Sequence, residues 1–262
     1  MQEIKKILAL KLEKYINIII KEYHNYLSKE KINELQNINF LDTIEIADTG
    51  TITILVMDNK IYFPTEAVNV INKLKKHPQY NTDKNHKAYT NDNILTNDNT
   101  FIDYINHAII RGIEPLDYYL ENLLHESFHI SGIVGVGVMS EAFTELKTRE
   151  LALKYNLETS GCGYPKEVKL ALKLQNILGE EIVNKIMFMN NIEEQLDYID
   201  KTLGRETSNF YEQIYLEMKK EFNKYNATSQ KDPYKKAKDY EQLDYSKVYD
   251  LLNSYEKNRN NR

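Results

Sequence analysis

The chain has 262 residues, with 34 Lys and Arg against 39 Asp and Glu and a net charge of −5. It is long enough to bury a full core, and its acidic balance, with an isoelectric point near 5.8, argues against nucleic acid as the main partner. A single cysteine, Cys162, has no internal disulfide partner, and no run of about 18 apolar residues exists to span a membrane.

In chain order, Ile4, Ile7, Leu8, Leu12, Tyr15, Ile16, Ile19 and Ile20 recur at helical spacing, so the chain opens on an amphipathic helix. Lys5, Lys6, Lys11, Glu13 and Lys14 interrupt its apolar runs, and no small-residue cleavage site follows. A secretory signal is therefore not expected, and the location expected is cytoplasmic. "TITILVMDNKIYFP", residues 51–64, alternates β-branched residues, turns at Asp58-Asn59 and resumes an extended run. That predicts a β-hairpin, followed by a helix over 65–76 with Thr65 as N-cap. Residues 77–100, rich in Asn and Asp, read as a long polar loop. From Phe101 onward the pattern is almost wholly helical, including 206–226, and 227–262 reads as a polar, tyrosine-bearing C-terminal helix or tail. The expected fold class is α+β and mostly helical: a small β-hairpin or sheet, then an active-site helix, a glutamate-bearing helix and further helices. Residues 1–226 make the main domain.

The chemistry concentrates in "LLHESFHISG", residues 123–132. Pro115 suits the first turn of a helix and Gly132 its end. On a helical wheel Leu116, Leu120, Leu123 and Leu124 form one apolar arc. His125 and His129 lie roughly opposite, facing a cleft or solvent, with Glu126 on their flank. Two imidazoles at i and i+4 project one turn apart from one face, a spacing that lets both bind one tetrahedral Zn²⁺. Glu126 is poorly placed to be a ligand, but it can reach a water held at the metal and act as general base on it.

A catalytic zinc site needs a third protein ligand. Gly132 fits the glycine of an extended HExxHxxGxxH pattern, but the position of the last histidine is Gly135, which has no ligand to offer. The alternative is a glutamate on a following helix. "SEAFTELKTRELALKY" begins at Ser140, expected as N-cap, with Glu141 in the first turn and Glu145 one turn later on the same face. Glu141 can complete the site, and Glu145 can accept the free ring N–H of a zinc histidine, fixing its tautomer.

"HESFH" followed by "SEAFTE" resembles the gluzincin group of zinc metallopeptidases, the thermolysin-like proteins that join HExxH to a glutamate helix. The likeness covers residues 121 to about 150, and the chain resembles a compact bacterial variant. It implies His125, His129 and Glu141 as zinc ligands, Glu126 as general base, Glu145 as the partner of a zinc histidine, and a peptide or protein as substrate. It also implies an edge strand beside the zinc, for which the hairpin at 51–63 stands in the right place in the chain. Ser140 departs from the Asn usual before the third ligand, and the segment between the helices is short. Tyr155, Tyr164 and Tyr215 are conceivable electrophiles; His77, His86, His107 and Cys162 have no assigned role. The competing expectation is a helical binding or regulatory module in which HESFH is incidental or binds metal without catalysis. Oligomeric state is not legible.

Overall fold

The computed structural model describes residues 1–48, 54–65, 68–69, 115–133, 137–157, 164–226, 240 and 242–260. Among them the chain is mostly helical, with a three-stranded sheet preceding the helices that carry the candidate site, as the α+β expectation has it. It divides into two compact units, the first Met1–His24, Lys29–Ser131 and Ala152–Ser160, the second Asn25–Ser28, Gly132–Leu151 and Gly161–Arg262.

The first unit begins with helix α1 (Gln2–Tyr23), whose 3.6-residue period buries Ile4, Leu8, Leu12, Tyr15, Ile16, Ile19 and Tyr23 along one stripe. Two short helices follow, α2 (Lys29–Gln36) and α3 (Phe40–Thr43). The Asn39 side chain caps α3, accepting from the backbone N–H groups of Leu41 and Asp42 at 3.2 and 3.4 Å. Strand β1 (Ile44–Ala47) comes next, then β2 (Leu55–Met57) and β3 (Lys60–Pro64).

The expected hairpin is present as β2 and β3. Asp58 and Asn59 both take positive φ, 52° and 58°, the backbone that a two-residue turn matching the strand twist requires. Val56 faces Ile61 across the pair. β3 also pairs in parallel with β1, Ile44 opposite Ile61, giving the order β1-β3-β2. With neighbours on both sides, β3 is the central strand, and Ile61 and Phe63 are fully buried. Helix α4 (Pro115–Ile130) packs against α1 and β2, and the Phe128 ring meets Tyr23 edge-on at 5.6 Å. Pro115 and Gly132 punctuate α4 as expected, Gly132 at φ 112°. Of the expected helix over 65–76, only Thr65, Val68 and Asn69 fall among the described residues, all helical; the loop 77–100 lies outside them.

Helix α5 (Val138–Tyr155) starts two residues earlier than its expected cap. Ser140 lies inside the helix, and the first bond runs from the Glu141 N–H to the Gly137 carbonyl at 3.2 Å. Val138 and Met139 are buried, so the apolar residues before Ser140 join the helix to reach core. Its last turn belongs to the first unit, where Lys154 and Tyr155 both bond Glu22 of α1.

The second unit is helical among its described residues: α6 (Pro165–Leu178), α7 (Glu180–Ile186), α8 (Ile192–Leu203), α9 (Arg205–Asn226) and α10 (Ser246–Asn260). α8 and α9 form a hairpin through Gly204, whose φ of 89° strains any other residue. Tyr211 donates to Gln195 Oε1 at 2.8 Å, and Gln195 donates to the Ile186 carbonyl at 2.9 Å. α10 packs on α9 and α6, with Tyr255 stacked on Phe210 at 4.0 Å. Ahead of α10, the Tyr240 and Tyr245 hydroxyls donate to the fully buried Glu167 carboxylate at 2.5 and 2.7 Å.

Candidate metal centre

From Asn122 onward, the described side chains of α4 are mostly covered. Leu123, Leu124, Phe128 and Ile130 are buried, and so are Ser127 and Ser131. Those two serines donate to the carbonyls one turn back, Leu123 O at 2.6 Å and Ser127 O at 2.8 Å. Each thereby satisfies its hydroxyl inside the helix and presents a small surface to its neighbours. Between 122 and 131 the half-buried residues are Asn122, Glu126 and His129. His125 stands at the border of that stripe and is 8% exposed. The histidine face is thus more enclosed than its polar wheel positions imply.

The two imidazoles converge. His125 Nε2 and His129 Nε2 are 3.2 Å apart, with the rings at 65° and their centroids 5.0 Å apart. Two ring nitrogens on one tetrahedral zinc stand about 3.3 Å apart, given Zn–N bonds of about 2.05 Å. The pair is therefore already at the spacing that a shared metal demands. The same distance accommodates an N–H···N bond when one ring is the donor, a matter of tautomer.

Glu141, in the first turn of α5 and half-buried, supplies the third atom. One ligand atom from each of His125, His129 and Glu141 lies within 4.8 Å of the other two, so the three can hold a metal ion. Two imidazoles and a carboxylate form a donor set suited to zinc and to other first-row divalent metals. Glu126 follows His125 directly and is half-buried on the same stripe as His129.

Glu145 is one turn beyond Glu141 and only 4% exposed. Its Oε1 accepts from Arg149 Nε at 2.9 Å. Arg149 had no role in the sequence reading, although an acid and a base four residues apart on a helix are a legible pair. Farther round α5, Lys147 is fully buried and donates to Glu150 at 2.7 Å, whose other oxygen accepts from Gln175 at 2.9 Å. Of the conceivable electrophiles, Tyr155 donates its hydroxyl to Glu22. The Tyr215 hydroxyl accepts from Lys219 at 3.3 Å, and the Tyr164 ring lies 6.2 Å from Phe222. His77, His86, His107 and Cys162 fall outside the described residues.

Comparison with models of known protein families, with curated proteins and with solved structures finds no match. Among the described residues, no helix is long and apolar enough to cross a membrane.

Proposed function

We propose that the chain is a zinc-dependent metallopeptidase of the gluzincin kind, hydrolysing peptide bonds with Glu126 as general base. One observation carries the reading: ligand atoms of His125, His129 and Glu141 meet within 4.8 Å, and a half-buried glutamate adjoins them in sequence. His125 and His129 would hold the metal through ring nitrogens and Glu141 through a carboxylate oxygen. When bound, zinc supplies Lewis acidity, making water nucleophilic near neutral pH and polarising a carbonyl. Glu126 takes the proton from the attacking water and returns it to the leaving amine nitrogen, so that one water and one peptide bond become a carboxylic acid and an amine. Glu145 is read as the acceptor of a histidine ring N–H.

Peptide as the substrate class draws support from β2. Among the described residues it pairs only with β3, at the edge of the described sheet, and it packs against α4. An extended peptide adds readily to such an edge through main-chain hydrogen bonds. The acidic balance of the chain favours this partner over nucleic acid, and a cytoplasmic location accords with the sequence. The competing reading, a helical binding module, has one observation in its favour: the histidine pair at 3.2 Å can close by a hydrogen bond without metal.

The test separates these readings. After zinc loading and desalting, the protein should retain about one zinc per chain and cleave an unstructured protein substrate. Glu126→Gln should keep the metal and lose nearly all hydrolysis, because only the base is removed. Retention below about a tenth of an equivalent removes the metal site, and full activity in Glu126→Gln removes the mechanism.

A further inference from the structure

We infer that Arg149 is a positioning residue for this site, holding the buried Glu145 carboxylate in place one helical turn beyond Glu141. The inference rests on the metal-site reading above. Glu141, Glu145 and Arg149 occupy positions i, i+4 and i+8 of α5, so they follow one another along one helix face. Arg149 Nε donates to Glu145 Oε1 at 2.9 Å, and the carboxylate it meets is almost wholly enclosed while the guanidinium side chain remains 27% exposed.

The physical need for such a group is clear from the charges. Two carboxylates four residues apart on a helix repel each other, and one of them is buried, where an unpaired charge is costly. An α5 with Glu141 and Glu145 but no cation would favour displacement of one acid from its place. The planar guanidinium sets the direction of the Glu145 carboxylate through a fixed N–H. Lys147 does not substitute for it, because its ammonium donates to Glu150 on a different side of the helix. Arg149 therefore acts on the metal through Glu145, and touches neither metal nor substrate in this role.

Zinc affinity measured by competition with a chromophoric chelator tests this, using the full chain, with folding checked by circular dichroism. Arg149→Ala should weaken zinc binding about 10- to 100-fold, the range expected when the partner of a metal-site group is lost, and Arg149→Lys should recover part of it. The decisive arm is the cycle with Glu145→Gln. In that background Arg149→Ala should change affinity by less than about twofold, because the group it positions has lost its charge. An equal loss in both backgrounds would mean that Arg149 supports only the helix, and no loss in either would mean that it does nothing for the site; either result overturns the inference. If Arg149→Ala fails to fold, Arg149→Lys against wild type in the same two backgrounds decides by the same criterion. Wild-type protein that binds no zinc overturns the metal-site reading itself, an outcome distinct from wild-type binding that is insensitive to Arg149.

Discussion

Glu141 and Glu145 differ in what surrounds them, and their variants should differ accordingly. Glu141 is half-buried and brings an oxygen within 4.8 Å of ring nitrogens of both histidines, whereas Glu145 is enclosed and bonded to Arg149. On the proposed metal-site reading, Glu141→Ala would remove a ligand and Glu145→Ala a supporting carboxylate, so chelator titration should find the larger loss for Glu141→Ala, with Glu145→Ala losing about 10- to 100-fold. The reverse order would make Glu145 the ligand. Thr148, about one turn beyond Glu145, offers a stability test at the same scale. It is buried and its hydroxyl has no hydrogen-bond partner, a state that costs about 1–3 kcal/mol. Thr148→Val keeps the shape and removes the unsatisfied group, so the melting temperature should rise by about 2 °C or more; a fall would point to a bridging water at that hydroxyl. The histidine pair was legible because i, i+4 spacing survives in any helix, and the structure brings Glu141 of the following helix near that pair. The enclosure of Glu145 was not legible, since burial depends on what other segments cover α5.

At the scale of elements, helices with one apolar stripe and the β2–β3 hairpin were legible, whereas the start of α5 and strand β1 were not. α1 and α4 carry their periodicity and punctuation in sequence. α5 buries nearly every residue from Val138 to Thr148, polar ones included, so no stripe marks its start and Ser140 offers a misleading cap. β1 has only four residues, and its place beside β3 is set by a parallel pairing that no turn signals. The tie between α1 and the last turn of α5 gives a pH test. Hydrogen bonds from Lys154, then from Tyr155, hold the Glu22 carboxyl below its ordinary value of 4.5. A folded-state pKa below the unfolded one contributes stability that is present above about pH 4.5 and lost as pH falls through the folded value. Urea denaturation should therefore find Glu22→Gln less stable than wild type at about pH 7, with the gap closing at about pH 3. A gap unchanged by acid would mean that the Glu22 charge contributes nothing.

Across the whole molecule, tyrosine hydroxyls among the described residues fasten buried polar side chains: Tyr211 bonds Gln195, and Tyr240 and Tyr245 bond Glu167. Glu167 is fully enclosed at the start of α6, where its charge suits the helix N-terminus. Tyr240 and Tyr245 hold it, and Lys166 Nζ donates to the carbonyls of Tyr240 and Leu243 at 3.2 and 2.7 Å. Burial, together with the adjoining Glu167, pushes the Tyr245 hydroxyl far above the ordinary phenol range, so it stays a donor at any working pH. Tyr245→Phe leaves that carboxylate short of one donor and should cost about 1.5–3 kcal/mol in the second unit's stability by denaturant titration. A change under about 0.5 kcal/mol would show the bond to be dispensable. Sequence left 227–262 open between helix and tail because its apolar residues are set among charges; among the described ones Leu243, Tyr245, Val248 and Leu252 are buried.

The interleaving of the two units along the chain bears on how the protein can be made. The first unit is not finished at Ser131: it takes up the chain again at Ala152–Ser160, after twenty residues given to the second. Glu22 must wait for partners 132 and 133 positions downstream. A ribosome that has released α1, the sheet and α4 has exposed their apolar faces without the segment that closes the unit, a delay that non-local topology imposes on folding rate. No single cut of the chain yields either unit whole. Fragments ending near residue 131 should accordingly come out of cells poorly folded and sensitive to proteases, and the full chain should depend on chaperones more than its helical content suggests.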